Sequence, residues 1–355
     1  MLPCGTYNTQ YRQDIAIVRT KLQWGLLIGF LIFIYIFPPL LNNPTMLNFI
    51  MITSIYLIAV LGLYLLTGLC GQIHLGQSAF VAVGAYTTAI LMSRFGLSFW
   101  LALPCSALTT IIIGLIFGIP SLKVKGFYLA IATLAAQFII TWIIIHTRPW
   151  TGGYDGIACP YATLGGIEFK SDRSFYFVVM AITILMVFFA KNIARTKTGK
   201  AFVAIRDNDL AAEVLGINVF HYKLLAFALC SAYAGIAGAL YAPFIIKMTP
   251  VDFSLMRSVW FLAMLIVGGM GSVVGAIMGT VFLKALEDGT TVLAPIVGTA
   301  MTNIFPQLYG KGVTTSFGLL IFGLVVALFL IFEPRGLNHR WEIFKASYRL
   351  HPFPY

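Results

Sequence analysis

The feature that most constrains this chain is a stretch of 72 residues, between Lys21 and Arg94, that contains no Asp, Glu, Lys or Arg. Only 10% of all residues are charged and 59% are hydrophobic, whereas an average soluble domain carries about 25% charged residues. Such a chain cannot cover a water-facing surface, and its five cysteines are too few for a disulfide scaffold. The sequence therefore predicts an integral membrane protein.

Seven further charge-free runs follow, each roughly the length that crosses a hydrocarbon core or a multiple of it. Their unbroken apolar character favours helices, because the strands of a membrane β-barrel would alternate in hydrophobicity. A weaker tenth candidate, Thr290–Phe305, is interrupted by Pro295 and Gly298. The nine stronger predicted spans are Trp24–Leu41, Phe49–Thr67, Ser78–Met92, Phe99–Ile119, Gly126–Ile145, Phe175–Ala190, Leu224–Phe244, Val259–Leu283 and Phe317–Phe332.

Lysine and arginine collect on the cytoplasmic side of membrane proteins, and this rule orients the chain. The basic residues cluster in the N-terminal segment 1–23, at Lys123 and Lys125, in the loop 191–223 and in the tail 333–355. Placing all of them inside makes both termini cytoplasmic, which requires an even number of crossings.

We therefore predict an all-α, polytopic membrane protein with about ten transmembrane helices and cytoplasmic N- and C-termini. Eight crossings remain possible if one glycine-rich segment re-enters the membrane. The permease domain covers 24–332 on this prediction, and its loop 146–173 lies outside the cell membrane.

The position of the charges also limits the chemistry. On this topology every charged residue falls at the end of a span or in a loop, whereas ion-coupled carriers and membrane enzymes keep ionisable groups inside their helices. The sequence has no HExxH motif, no CxxC pair and no GxxxxGK[ST] loop. We expect a non-catalytic chain without a metal or nucleotide of its own, so uphill transport would need another subunit. We interpret the net charge of +11 as the excess of Lys and Arg that orients a membrane protein, and not as a sign of a nucleic-acid-binding surface.

Two glycine-containing segments are candidates for a translocation pathway. The first, GQIHLGQS from Gly71, puts three polar side chains at membrane depth, which indicates a helix break along a polar path or an ordinary short loop. The second, GGMGSVVGAIMG from Gly268, carries a glycine stripe typical of close helix packing, after a Gly-Gly pair that indicates a helix break. The predicted pathway residues are Gly71, Gln72, His74, Gly76, Gln77, Gly268, Gly269 and Gly271.

The 191–223 loop contains a predicted helix. The run Arg206-Asp207-Asn208-Asp209 supplies N-cap candidates, LAAEVL follows, and Gly216 ends the segment. A helix of six or seven residues, about 10 Å long, would project from the membrane with Ala211, Val214 and Leu215 free to be buried. It is either a plug for a groove on a cytoplasmic partner or a solvated surface helix or interfacial anchor.

The predicted external loop contains the run WTGGYDGI, in which Trp150, Gly152, Gly153 and Asp155 stand out. The glycines suit tight turns. The loop is either a docking surface for an external protein or a folded lid.

These segments, in this order, resemble the permease subunits of ATP-binding-cassette importers for branched-chain amino acids, and the LivM type in particular. The matching stretches begin with GQIHLGQSAFVAVGAYTTA from Gly71, GIPSLKVKGFYLAIATLA from Gly118 and WTGGYDGI from Trp150. They continue with TKTGKAFVAIRDNDLAAEVLGINVFHYKLLAFALCSAYAGIAGALYA from Thr196, GGMGSVVGAIMGT from Gly268 and FEPRGL from Phe332.

The resemblance implies a heterodimer with a second homologous permease, two cytoplasmic ATPases that use ATP and magnesium, and a periplasmic amino-acid-binding protein. It implies no cofactor bound directly by this chain, and a location in the bacterial inner membrane, in contact with lipid. It places a set of residues at the ATPase contact: Arg206, Asp207, Asn208, Ala211, Ala212 and Gly216.

The first hypothesis is a non-catalytic transmembrane subunit of an ATP-driven importer of branched-chain or related hydrophobic amino acids. The alternatives are a stand-alone channel or secondary carrier for a small polar solute, and a urea- or amide-type permease of the same transporter class. Related urea permeases tend to carry histidine where Gln77 stands, so amino acids are favoured.

Overall fold

The chain folds into a bundle of helices. The computed structural model describes residues 21–40, 43–121, 126–164, 167–169, 171–304, 312–333 and 336–350. Most of the N-terminal segment 1–23, together with Lys123, Lys125 and the end of the tail 333–355, lies outside the described residues. The α-helices of six or more residues are α1 (Lys21–Leu40), α2 (Pro44–Leu63), α3 (Gln77–Arg94), α4 (Phe99–Ser121), α5 (Phe127–His146), α6 (Asp172–Arg195), α7 (Lys197–Asp207), α8 (Asp209–Val214), α9 (Val219–Ile245), α10 (Leu255–Gly268), α11 (Val273–Ile304), α12 (Gly312–Phe332) and α13 (Leu337–Leu350). Shorter helical turns are Arg148–Thr151, Gly153–Asp155 and Pro250–Phe253.

The predicted helical, polytopic architecture is confirmed. Among the described residues, five helices are long and apolar enough to cross a membrane: Pro44–Leu69, Phe99–Pro120, Tyr128–His146, Asp172–Arg195 and Val219–Ile245. Pro44–Leu69 includes a π-helical last turn, Tyr64–Leu69.

Strands are confined to two short antiparallel ladders in the described part of the chain. β1 (Ile157–Ala158) pairs with β4 (Lys247–Met248), and β2 (Thr163–Leu164) pairs with β3 (Ile167–Glu168). The first ladder ties the 146–173 loop to the segment that follows α9.

Close contacts define two ends of the bundle, which we call lower and upper. At the lower end the Arg206 guanidinium donates to the Gly68 carbonyl at 3.1 Å, and a Cβ at Gly68 would lie 2.3 Å from the Met270 carbonyl oxygen. Gly336, which precedes α13, packs against the backbone of Gly269 at this end. The connection after α7, the turn after α10 and the start of α13 therefore share the lower end.

The upper end holds the loop 146–173. The Arg94 guanidinium, at the end of α3, lies 5.3 Å from the centre of the Trp150 ring. A Cβ at Gly156 would lie 2.1 Å from the Met248 carbonyl oxygen. The loop is therefore folded against the ends of α3 and α9.

Two helices begin inside the bundle instead of at an end. The backbone N–H of Ser78, at the start of α3, donates to Ser258 Oγ near the start of α10 at 2.8 Å. Gln137, in the middle of α5, bonds to both regions. The chain reaches α3 from the lower end through residues 70–76 and reaches α10 from the upper end through residues 246–254, so the two interruptions are inverted relative to each other.

Glycines let the helices around these interruptions approach one another. A Cβ on Gly84 of α3 would lie 2.5 Å from the Gly235 carbonyl oxygen of α9, and one on Gly238 would lie 2.1 Å from the Val81 carbonyl oxygen. Real Cβ atoms do not approach a backbone so closely, and small residues are what allow membrane helices to pack backbone to backbone.

The prediction of one span over Val259–Leu283 is wrong, because the chain turns at 269–272 between α10 and α11. Gly269 takes a φ of 107° at this turn, a value that a residue with a side chain rarely adopts. The described part of Thr290–Phe305 does not form a separate helix either. It continues the 32-residue helix α11, and Pro295 and Gly298 do not interrupt it.

The prediction that every charged residue lies at the end of a span or in a loop is also wrong. Arg257 lies within α10, and Lys284, Glu287 and Asp288 lie within α11. These side chains neutralise one another across the two helices, which is how membrane proteins tolerate internal charge.

We expect Gly238→Leu to destabilise the bundle by at least about 1–3 kcal/mol, because the new side chain overlaps the α3 backbone. Thermal unfolding of the detergent-solubilised protein should occur at a lower temperature. Gly323→Leu is the matched control, since nothing lies within 4 Å of a Cβ at that position of α12. Equal melting temperatures for the two variants would contradict the packing described.

Candidate functional site

The centre of the bundle is organised by one amide side chain, that of Gln137. Its Oε1 accepts from the Ala79 backbone N–H at 2.9 Å and from the Ser258 hydroxyl at 3.0 Å. Its Nε2 donates to the Phe253 carbonyl at 2.8 Å. Helix starts leave N–H groups unpaired, and the membrane interior offers no water. At the start of α3 the Gln137 amide and the Ser258 hydroxyl accept from two such groups, the N–H groups of Ala79 and Ser78. The Ser258 hydroxyl in turn connects the amide to the start of α10.

The predicted pathway residues Gln77 and His74 are buried at this centre. Gln77 Nε2 donates to the Ala59 carbonyl at 2.8 Å, and its Oε1 accepts from Cys230 Sγ at 3.2 Å, so the side chain joins α2, α3 and α9. The His74 ring packs 5.2 Å from the rings of both Phe80 and Phe227, measured between ring centres. Both side chains are enclosed by helix contacts.

The predicted pathway residues Gly71 and Gln72 lie lower, beside α7. A Cβ at Gly71 would lie 2.7 Å from the Arg206 side chain. An open cavity of about 390 Å³ runs between residues 70–73 and 205–209. Gln72 is buried, its Oε1 has no hydrogen-bond partner in the described part of the chain, and its carbonyl accepts from the Thr67 hydroxyl at 2.9 Å. Gly76 lies between Gly71 and the buried centre of the bundle. A Cβ added at Gly76 would lie 2.6 Å from the Thr133 carbonyl oxygen.

The glycines of the second predicted pathway segment form the hairpin between α10 and α11. A Cβ at Gly268 would lie 2.0 Å from the Gly275 carbonyl oxygen, and one at Gly279 would lie 2.0 Å from the Met264 carbonyl oxygen. Gly271 is exposed at the turn. The stripe therefore packs two helices together, as the simpler interpretation of the sequence expected.

The short helix predicted in the 191–223 loop is confirmed as α8, with six residues. Asn208 is its N-cap, and its side chain accepts from the Ala211 N–H at 3.0 Å. Ala212 is buried and anchors the helix, whereas Val214 is 88% exposed. Gly216 follows with a φ of 84° and ends the segment.

The base of α8 is fixed to the bundle by charged groups. Arg206 bonds Asp207 Oδ1 at 2.9 Å in addition to the Gly68 carbonyl. Lys223 of α9 lies 3.6 Å from Asp209 Oδ2. These contacts join the residues beside and within α8 to the π-helical turn that follows α2 and to the start of α9.

At the upper end, the predicted loop residues form a folded cap. Trp150 stacks on Phe95 with 6.4 Å between ring centres. Gly152 and Gly153 take φ values of 77° and 63° in the tight turns that the sequence predicted. Asp155 is exposed.

Sequence reasoning missed Gln137 and the internal ionic cluster of Arg257, Lys284, Glu287 and Asp288. Gln137 is the one amide in its predicted span, which is a signal that could have found it. The ionic cluster was missed because the predicted span Val259–Leu283 had the wrong boundaries. These boundaries placed the charged residues in loops between helices. In the described residues, no three His, Cys, Asp or Glu side chains are grouped so that they could hold a metal ion.

Comparison with known proteins decides the family. The sequence of this chain matches the family described as the branched-chain amino acid transport system permease component, over residues 45–330. The chain belongs to this family of ABC transporter permeases. It is therefore a non-catalytic transmembrane subunit of that transporter class.

Relatives of this permease include two named for branched-chain amino acid transport. It is 30% identical over 348 residues to the high-affinity branched-chain amino acid transport system permease protein LivM of Escherichia coli, covering 91% of this chain and 76% of the relative. It is 32% identical to LivM of Salmonella typhimurium, over 80% and 68% of the two chains. The autoinducer 2 import system permease protein LsrC of Salmonella paratyphi B is 26% identical, over 61% and 64%. No solved structure matches the permease.

We expect Gln137→Leu to lower the melting temperature of the purified permease. The change removes the acceptor of the Ser258 hydroxyl and the donor to the Phe253 carbonyl, and each buried unpaired group costs about 1–3 kcal/mol. The Ala79 N–H keeps its bond to the Gly76 carbonyl at 3.1 Å. Thr141→Val, one turn further along α5, is the control. Among the described residues, the Thr141 hydroxyl bonds only within its own helix, to the Gln137 carbonyl at 2.8 Å. A Gln137→Leu protein as stable as the control would show that the junction does not support the bundle.

Proposed function

We propose that this permease is the membrane-spanning subunit of an ATP-driven importer that moves branched-chain amino acids across the bacterial inner membrane. The observation that carries the proposal is α8, a short helix that projects from the lower end with its apolar side chains uncovered. Leu210, Val214 and Leu215 are 66%, 88% and 79% exposed. Uncovered apolar side chains outside the membrane mark a site for a protein partner.

The partner at the lower end would be an ATPase subunit. Closure of two ATPases on ATP would displace α8, and the contacts of Arg206 and Lys223 would carry the displacement into α2 and α9. The movement would shift the bundle between outward-open and inward-open states, a population shift driven from outside this chain. The residues assigned to this contact are Arg206, Asp207, Asn208, Ala211, Ala212 and Gly216.

The substrate assignment is supported by the relatives. The two LivM proteins are more similar to this chain than LsrC is and are matched over more of their length. Branched-chain amino acids are therefore favoured over autoinducer 2. Five of the proposed pathway residues, Gly71, Gln72, His74, Gly76 and Gln77, lie in or beside the first of the inverted interruptions, where transporters commonly bind their substrates. The other three, Gly268, Gly269 and Gly271, lie at the turn between α10 and α11.

The topology we propose has ten membrane-embedded helices, α1–α6, α9, α10, α11 and α12, with the lower end in the cytoplasm. Both termini are then cytoplasmic, with segment 1–23 before and segment 333–355 after the permease domain 24–332. This count keeps the even number of crossings required by the basic residues, with α10 and α11 in place of the spans expected from the sequence.

The remaining partners are a second homologous permease, which completes the pathway, and a periplasmic binding protein that delivers the amino acid. The upper cap, with Trp150, Gly152, Gly153 and Asp155, is the proposed docking site for the binding protein. ATP and magnesium belong to the two ATPases, and this chain binds no cofactor directly.

We expect Val214→Asp to abolish co-purification of the ATPases, because it places a charge in the apolar contact. The permease itself should remain folded, since the site is exposed and single surface substitutions change stability by about 0.5 kcal/mol or less. Val251→Asp, at a valine 72% exposed in the segment between α9 and α10, is the control and should retain the ATPases. Loss of the ATPases from both variants, or from neither, would count against the proposed contact.

The proposed orientation predicts the labelling of introduced cysteines by a membrane-impermeant maleimide. In intact spheroplasts Tyr154→Cys should react and Val214→Cys should react only after permeabilisation. Native Cys159 will not interfere, because burial raises the pKa of its thiol to about 12 and the thiolate is the reactive form. Cys4 and Cys105 are replaced by serine in both variants, and the reverse labelling pattern would overturn the orientation.

A further inference from the structure

A small cavity lies beside the internal start of α10 and is lined by charged, aromatic and aliphatic groups. Its charged lining residues are Asp252 and Arg257. It measures about 10 Å³, the space of roughly one water molecule, so it is too small for a larger ligand in this conformation. Its walls come from α2, α3, α9, α10 and the 250–253 turn, and relative movement of these separate elements would open it.

Arg257 forms an ion pair but still has unused hydrogen-bond donors. Its Nη1 donates to Glu287 Oε1 at 3.2 Å, and its guanidinium lies 5.2 Å from the centre of the Tyr56 ring. Its other guanidinium N–H groups make no hydrogen bond to the described residues, and a guanidinium has five such donors. Its remaining donors can therefore bind a carboxylate while Nη1 stays on Glu287. Lys284, 3.2 Å from Glu287 Oε2, also balances the charge of that carboxylate.

Asp252 offers the opposite charge on the same cavity. Its Oδ2 accepts from the Thr249 N–H at 2.8 Å and the Thr249 hydroxyl at 3.0 Å, which fixes the carboxylate. Its Oδ1 has no hydrogen-bond partner in the part of the chain that the structure describes. The fixed carboxylate can accept from an ammonium group.

Unpartnered polar groups and an apolar wall complete the surroundings. The Tyr86 hydroxyl is buried without a hydrogen-bond partner among the described residues, and its ring packs 6.1 Å from that of Phe253, which lines the cavity. Tyr86 does not itself line the cavity. A buried hydroxyl without a partner costs free energy, and a polar ligand would remove that cost only once the cavity opens as far as Tyr86. The aliphatic part of the lining consists of Ile55, Ala59, Val81 and Ala237.

We propose that this cavity is a binding site for an α-amino acid within the membrane. Arg257 binds the carboxylate, Asp252 binds the ammonium group, and the aliphatic wall receives the branched side chain between the aromatic rings of Tyr56, Tyr241, Phe253 and Phe261. The proposal rests on the proposed function for the substrate class. It adds that this chain selects its substrate directly, in addition to any selection by a binding protein.

The test is binding of radiolabelled leucine to the complete permease–ATPase complex in lipid nanodiscs, without binding protein. We expect saturable binding that unlabelled leucine and valine displace. Isoamylamine, which lacks the carboxylate, and 4-methylpentanoate, which lacks the ammonium group, should compete at least tenfold less well. Displacement by these two analogues as effective as that by leucine would overturn the paired roles of Arg257 and Asp252.

The variants Arg257→Gln and Asp252→Asn should each weaken leucine binding at least tenfold, while Arg257→Lys should retain part of it. Arg257→Gln/Glu287→Gln removes both charges of the ion pair and covers the case in which the single variant fails to fold. Arg173→Gln, at an exposed arginine of α6, is the control and should bind leucine normally. Normal binding in a folded Arg257 variant would overturn the proposal.

A wild-type complex that transports leucine with its binding protein but binds none without it would also overturn this site and leave the proposed function intact. A wild-type complex that transports no branched-chain amino acid would instead refute the proposed function.

Discussion

The helix starts that meet at Gln137 are the constraint on which the rest of the structure depends. A helix that begins inside a membrane protein leaves N–H groups with no water to bind. In this chain one amide bonds the starts of α3 and α10 and the carbonyl of Phe253. The interruptions can therefore persist at mid-depth. They bring backbone, hydroxyl and charged groups to a place where a continuous helix would offer only apolar side chains.

The same arrangement connects the centre to the lower end. Arg206 bonds the Gly68 carbonyl in the π-helical turn that follows α2, and Gly68 packs against Met270 at the turn that ends α10. α10 leads from this turn to Ser258 and Arg257, beside Gln137. One short helix thus joins the segment that bears α8 to the ionic cluster and the cavity. The glycines of the α10–α11 hairpin keep the two helices in direct backbone contact. Because few side chains separate them, we expect the two helices to move together when the turn is displaced.

Much of this fold follows from the sequence, because long apolar runs leave the chain no other structure. The cap, length and end of α8 also follow, since Asn208 and Gly216 act through local backbone geometry. The break at 269–272 was signalled by the Gly-Gly pair, but its consequence for α11 was not, because Pro295 and Gly298 suggested an interruption. Gln137, Arg257 and Glu287 act through contacts between helices far apart in sequence, and no local pattern pairs them. The enclosed positions of His74 and Gln77 likewise depend on Phe227 and Cys230 of α9.

The proposed function requires that this permease move its substrate only when ATPase subunits drive it. The most direct measurement is leucine uptake into proteoliposomes that contain the two permeases and the binding protein, with and without the ATPases, at equal protein density. We expect ATP-dependent accumulation above the external concentration when the ATPases are present, and no accumulation without them. Leucine accumulation by the permeases alone, or uptake at the same rate in both preparations, would contradict it.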